Sequence, residues 1–296
     1  MNLLLIVFTF ITNYIVSASF WALYFFFTAP FFHEELLMDN GLLAERILLL
    51  SLACVLVPAV LSGTGVMQYF FVRENGGRRA AGETKEYLER LMRDICRRGG
   101  LELSDFHLYT ANVDDYNAWA IGGNHITITE RLLHEFSEEE VKGILAHEVG
   151  HLQNGHSRLG LLRYGMEWFS GIIVYVYSVV TLLLAFLRWI PVLGIFIGLI
   201  NLFILIQYYF LKIFLQIPLW FFTQFGSRKN EYAADEYACD LGLGMELAVG
   251  LVHMEHIFHG GRRDWFSRLF DDHPDIPSRL ERIRKILMEK EGGSLA

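Results

Sequence analysis

Charge is missing over long stretches of this chain. Residues 1–32 contain no Asp, Glu, Lys or Arg, residues 47–72 form a second uncharged run, and between residues 168 and 211 Arg188 is the one charged side chain. Cysteine is also scarce. Cys54, Cys96 and Cys239 are odd in number and far apart, so neither a disulfide framework nor a Cys-based zinc site follows from them. A basic excess is lacking as well: the net charge of −8 argues against a nucleic-acid partner on electrostatic grounds. No internal repeat or low-complexity tract is present. What remains is apolar, with 53% hydrophobic residues, 20% charged residues and a mean hydropathy of +0.33, an excess that suggests membrane segments before any motif is read.

A hydrocarbon core of about 30 Å needs roughly 20 apolar residues of helix. Four spans are expected, at about 3–28, 47–72, 168–187 and 192–212. The last two are joined by a tight turn near Arg188, Pro191 and Gly194. The first run is too long for the apolar core of a signal peptide, and no basic residue precedes it. Orientation follows from basic residues. The loop at 30–44 has no Lys or Arg and carries Glu34, Glu35 and Asp39, whereas residues 73–98 hold Arg73, Arg78, Arg79, Lys85, Arg90, Arg93, Arg97 and Arg98. This asymmetry puts the segment after the second span in the cytoplasm, with Arg188 a minor exception in the outer turn. The hairpin then returns the chain after Lys212 to the same side.

Four segments are expected: two N-terminal spans (1–72), a cytoplasmic segment (73–167), a membrane hairpin (168–217) and a C-terminal segment (218–296). Asn75-Gly76-Gly77 and Gly82 read as a flexible link leaving the membrane. Residues 83–98 read as an amphipathic helix, with Tyr87, Leu88, Leu91, Met92 and Ile95 on one side. Short strands are expected at 106–110, 117–121 and 125–129, then a helix at about 129–135. Ser137 and Glu140 form an S-x-x-E capping box that opens a longer helix through residue 152 or beyond. Further helices are expected at 228–241, 244–259 and 277–290.

Within the capped helix lies His147-Glu148-Val149-Gly150-His151, an H-E-x-x-H pattern. Residues at i and i+4 share a helix face, so both imidazoles can meet one ion, and neutral imidazole suits zinc. Glu148 is rotated by one residue and can reach a water rather than the ion, as a general base for peptide hydrolysis requires. The plainer reading is two solvated histidines on a surface helix.

A catalytic zinc site takes three protein ligands. His156 lies five residues past His151 and is rotated off its face, which suits a helix end or a supporting contact better than ligation. The H-E-x-x-H-x-x-G-x-x-H pattern fails, because position 154 is Asn and position 157 is Ser. Glu231 is the better candidate. It stands at i and i+4 with Asp235 on an expected helix, so that one carboxylate can bind zinc while the other accepts from a ligand histidine. Two ordinary surface acids are the rival reading. The topology favours ligation, because the hairpin returns Glu231 to the membrane face that carries the histidines.

Leu145-Ala146-His147-Glu148-Val149-Gly150-His151, Ser227-Arg228-x-x-Glu231-Tyr232-x-Ala234-Asp235 and His273-Pro274 followed by Arg279 together resemble the HtpX-type membrane proteases, relatives of the type 1 CAAX prenyl proteases. The resemblance covers about residues 1–290. It implies a mainly α membrane protein with four transmembrane helices and a zincin-like α+β catalytic domain carrying a small β-sheet. It implies Zn²⁺ held by His147, His151 and Glu231, with Glu148 catalytic and Asp235 supporting a ligand. It places His273 and Arg279 where the family stabilises the tetrahedral intermediate or braces the site. It gives Asn117-Ala118-Trp119-Ala120 the part of an edge strand that holds the substrate backbone. The family often has a smaller residue near Trp119, and position 156, commonly acidic in HtpX relatives, is His here as in CAAX-protease relatives.

Weaker signals remain. His253, His256 and His259 recur every third residue, as a second metal site or, more commonly, a partly exposed helix face. Arg262, Arg263, Trp265, Phe266, Arg268 and Phe270 suit either a membrane–water interface or a loop over the cleft. Gly63-Thr64-Gly65 inside the second span reads as an aid to helix packing. The combined reading is a stress-response zinc endopeptidase in a bacterial inner membrane. It would act from the cytoplasmic side on polypeptides that are misfolded or lie in or near the bilayer. A CAAX-type protease and a non-catalytic metal-binding scaffold are the alternatives.

Overall fold

The computed structural model describes residues 2–187, 189, 193–211, 213, 217–259 and 276–293. The chain divides into two compact units. One comprises Met1–Ser62 and Leu162–Thr223, the other Gly63–Leu161 and Gln224–Ala296.

In the first unit, helix α1 (Asn2–Phe32) is followed by the short α2 (Glu34–Met38) and by α3 (Asn40–Ser62). Helices α8 (His156–Leu187) and α9 (Leu193–Leu211) supply the rest, together with the start of α10 (Ile217–Asp240). Three of these are long and apolar enough to cross a membrane: Leu3–Phe32, Asn40–Ser62 and His156–Leu187. The fourth expected span contributes a shorter apolar helix, Gly194–Ile206, among the described residues. Small residues let these helices approach closely. A Cβ on Gly165 of α8 would stand 2.7 Å from the Ala59 Cα of α3.

The second span differs from its expected range. The uncharged run 47–72 is two helices, because α3 stops at Ser62 and α4 (Gly65–Glu74) begins after two intervening residues. Thr64 is extended, with φ −78° and ψ 145°, and its hydroxyl accepts from the Met67 N–H at 3.4 Å. Gly63-Thr64-Gly65 is therefore a break with an N-cap, not a packing notch inside one helix. Hydropathy alone could not see it, since neither side of the break carries charge.

The second unit holds a four-stranded sheet in the order β1-β2-β4-β3. The strands are β1 (Gly77–Arg79), β2 (His107–Ala111), β3 (Ala118–Ile121) and β4 (His125–Thr129). β2 and β4 run parallel, and the two outer strands are antiparallel to their neighbours. The stretch read as a flexible link holds strand β1, although Gly76 (φ 77°) does make the turn into it. One sheet face, with Ile126, Ile128 and Ala118, packs in the core beside α5 (Gly82–Gly99) and α7 (Glu138–Gln153). Leu88, Leu91, Met92 and Ile95 of α5 recur at helical spacing and are each at most 1% exposed. Burying each such side chain contributes about 1.5–3 kcal/mol. Between β4 and α7 lies α6 (Glu130–Glu135), and the part of α10 from Gln224 onward, α11 (Gly244–His259) and α12 (Ile276–Gly293) also belong to this unit.

Candidate active site

Helix α7 starts as its sequence requires. The Ser137 Oγ accepts from the Glu140 N–H at 3.3 Å, and the Glu140 Oε2 accepts from the Ser137 N–H at 2.7 Å. This reciprocal cap satisfies two N–H groups that the first turn leaves without helical partners. Glu140 is used twice, because its Oε1 also lies 3.0 Å from the Nδ1 of His253 on α11. His253 stacks on Phe136, with ring centroids 4.2 Å apart. His253 is thus a packing residue, and among the described residues it joins no metal-type cluster with the exposed His256. The His259 side chain lies outside the described residues.

Two glycines on α7 let neighbouring helices approach it closely. A Cβ on Gly143 would overlap the backbone of Leu247 on α11, and one on Gly150 would stand 3.0 Å from the Ala234 backbone of α10. Helix α10 turns Glu231, Ala234, Asp235 and Ala238 inward, all at most 3% exposed and spaced at i, i+3, i+4 and i+7. The absence of a side chain at Gly150 and the small size of Ala234 bring these two helices nearly backbone to backbone. Across this contact His147, His151 and Glu231 converge, forming the metal-type cluster found among the described residues.

The His151 Nε2 lies 3.1 Å from the His147 Nε2 and 3.1 Å from the Glu231 Oε1. The His147 Nε2 lies 3.4 Å from the Glu231 Oε2. Four ligands around zinc at 2.0–2.1 Å stand about 3.3–3.4 Å apart along each tetrahedral edge. Two imidazole nitrogens and a carboxylate at these separations fit such an ion, both in spacing and in donor chemistry. His156 is not one of the cluster; it opens α8, with its ring centroid 5.7 Å from that of His151.

Behind the cluster is a buried charge lattice. The Asp235 Oδ1 lies 2.8 Å from the His147 Nδ1 and accepts from the Arg279 Nη2 at 2.6 Å, while Oδ2 accepts from the Arg279 Nε at 2.9 Å. The 3.3 Å between the Arg279 Nη2 and the His147 Nδ1 is two donors sharing one acceptor, not a bond of its own. The Arg279 Nη1 stands 3.3 Å from the Glu231 Oε2, so one guanidinium reaches both carboxylates. Burial pushes the Asp235 carboxyl up, but the Arg279 charge and the His147 hydrogen bond outweigh it and hold it below the usual range. Burial and Arg279 both push the His147 imidazole down. The hydrogen bonds to Asp235 and Glu231 prevail and raise it to about 9. Glu148 is 7% exposed, and its charge is one of those that keep the buried Arg279 protonated.

Strand β3 is the sheet's outer strand beside α7, and no strand pairs with its other edge among the described residues. The Thr129 N–H donates to the Asn117 carbonyl at 2.9 Å. Alternation in an antiparallel ladder then turns the N–H and C=O groups of Ala118 and Ala120 toward the free edge. Ala118 and Ala120 pack with the core, so the Trp119 side chain lies on the opposite sheet face. His273, Pro274, Arg188, Pro191 and the basic-aromatic run from Arg262 to Phe270 lie outside the described residues. Sequence reasoning missed Gly143 and Gly150. Their signal was glycine in the interior of a capped helix, which costs about 1 kcal/mol against alanine and needs a packing reason.

The pattern of the family described as Peptidase family M48 matches residues 83–287. The chain is 28% identical over 231 residues to Protease HtpX of Pseudomonas fluorescens (strain SBW25), covering 68% of this chain and 72% of that protein. It is 24% identical over 299 residues to Protease HtpX of Pseudomonas putida (strain GB-1), covering 83% and 90%. Its fold is similar to the crystal structure of S. mikatae Ste24p, with a TM-score of 0.52 at 18% identity, over 88% of this chain and 63% of that one. With a His-His-Glu cluster at the centre of the matched region, the chain belongs to peptidase family M48, as an HtpX-type membrane metalloprotease.

Proposed function

We propose that the chain is a zinc endopeptidase that cleaves misfolded or membrane-associated polypeptides, working from the cytoplasmic face of a bacterial inner membrane. The observation that carries this reading is the convergence of His147, His151 and Glu231 at tetrahedral spacing, with Glu148 on the same helix. The N/N/O donor set suits zinc among the common divalent ions. When bound, the ion supplies Lewis-acid polarisation of the scissile carbonyl and acidifies water.

The remaining chemistry belongs to the side chains. Glu148 takes a proton from the attacking water and delivers it to the leaving amine. Asp235 fixes the His147 ring by accepting from Nδ1, which leaves Nε2 for the ion. Arg279 is a positioning residue, since it spans Asp235 and Glu231 and holds both carboxylates in place. His273 has the oxyanion-donor role by the family pattern alone. The segment Asn117, Ala118, Trp119 and Ala120 binds substrate, with the free groups of Ala118 and Ala120 pairing to an extended peptide. The basic side chains of residues 73–98 support the cytoplasmic orientation.

Glu148→Ala tests the mechanism. The variant is expected to retain zinc and to lose cleavage of an unfolded membrane-protein substrate, and undiminished cleavage refutes the assignment. Hydrolysis of a farnesylated peptide but not of its unlipidated form would redirect the substrate class to prenylated C-termini.

A further inference from the structure

Helix α4 has two faces, and the metal site uses neither. Phe71 and Val72, at 8% and 0% exposure, pack inward, and Gln68 lies against Gly122 at the β3–β4 turn. The opposite face carries Val66, Tyr69, Phe70 and Arg73 at i, i+3, i+4 and i+7. Val66 is 79% exposed, Tyr69 48% and Phe70 59%. Aliphatic and aromatic side chains in one helical stripe are unusual on a water-facing surface, and they mark a contact.

We propose that this stripe seats α4 on an anionic lipid surface, with Val66 and Phe70 entering the acyl boundary and Tyr69 and Arg73 at the headgroups. Chain connectivity selects lipid over a protein occupant. Helix α4 begins three positions after Ser62, the end of a helix apolar enough to span the membrane, and so few residues reach only about 10 Å. Charge is complementary as well. Arg73 ends the stripe and the exposed Arg78 and Arg79 follow it, matching the cationic flank of interfacial helices on anionic leaflets. Tyr69, an aromatic ring with a polar tip, has the amphipathic character that favours the headgroup level, whereas the wholly apolar Phe70 suits the acyl boundary. Through Phe71, Val72 and Gln68 the same helix is fixed to the sheet.

The test uses the full chain in phosphatidylglycerol-containing vesicles. Single cysteines, Val66→Cys or Phe70→Cys, are placed in a Cys54→Ala, Cys96→Ala, Cys239→Ala background and carry an environment-sensitive fluorophore. The expected result is strong quenching by shallow doxyl lipids and weak quenching by aqueous iodide, with the reverse for a control label at Glu139→Cys, an exposed position on α7. Labels at 66 and 70 as open to iodide as the control overturn the proposal. Labels shielded from both quenchers also overturn it, because the stripe is then covered by protein, a second copy included. The unlabelled wild-type chain provides a separate measurement. Photoactivatable phosphatidylglycerol is expected to cross-link within residues 65–74, and cross-links confined to the spans refute the seat.

Discussion

Replacing Arg279 with methionine separates two roles for this guanidinium, because bracing and transition-state donation leave different traces. Arg279 has a side chain 7% exposed, and its partners Asp235 and Glu231 are 0% and 4% exposed. Its Nε and Nη2 donate to Asp235 at 2.9 and 2.6 Å, and Nη1 stands 3.3 Å from Glu231. Arg279→Met fills much of the same volume but strips two buried carboxylates of their cation. Breaking a buried pair from one side costs about 3–5 kcal/mol. For a unit of roughly 170 residues, at about 2–4 °C per kcal/mol, the apparent Tm should fall by about 6–20 °C. Zinc affinity should fall along with it, since Asp235 then orients His147 less firmly. Arg279→Lys should recover part of the stability, as a point charge without the bidentate fork. The assay is thermal unfolding in detergent beside zinc quantification and cleavage rate. A variant with normal Tm and normal zinc but a slow turnover would refute the bracing account and make Arg279 a donor to the reacting atoms.

Further outcomes are expected. With His147 raised to about 9 in the metal-free site, zinc must displace a proton at pH 7.5, because only the neutral imidazole ligates. Calorimetric zinc titrations in buffers of different ionisation enthalpy should therefore report about one proton released from His147, falling to about half near pH 9 and toward none above about pH 10; no release at pH 7.5 contradicts the assignment. Gly143→Ala should lower the unfolding free energy by about 1–3 kcal/mol, overriding a helix-propensity gain of about 1 kcal/mol, because its new Cβ overlaps the Leu247 backbone; a denaturant titration checks it. Ala120→Pro removes an N–H that makes no ladder bond, so Tm should hold while KM for an extended peptide rises. An unchanged KM removes Ala120 from substrate binding.

Helix α7 was legible because its determinants are local. Ser137 and Glu140 cap it, and the four-residue spacing of His147 and His151 fixes their common face, all within one helix. Glu231 and Asp235 could be paired by the same spacing, but their meeting with the histidines depends on Gly150 facing Ala234, a contact 84 positions apart that no periodicity encodes. The break at Gly63-Thr64 was hidden for a related reason. Hydropathy averages over a window, whereas an N-cap is one hydroxyl on one N–H. Strand β1 is three residues long and is paired by β2, some thirty positions away, so its own sequence, Gly77-Arg78-Arg79, carries no alternation to read. Arg279 showed its charge in the sequence but not its partners. For His253 a partly exposed helix face was the commoner reading beside a second metal site, but its partners, Glu140 and Phe136, were not legible in the spacing.

Zinc content measured side by side in the purified wild-type chain and in Glu231→Ala is the most direct test. The wild type should carry one ion per chain and the variant substantially less, although both histidines remain. Equal zinc in the two proteins would contradict the convergence of His147, His151 and Glu231 on one ion.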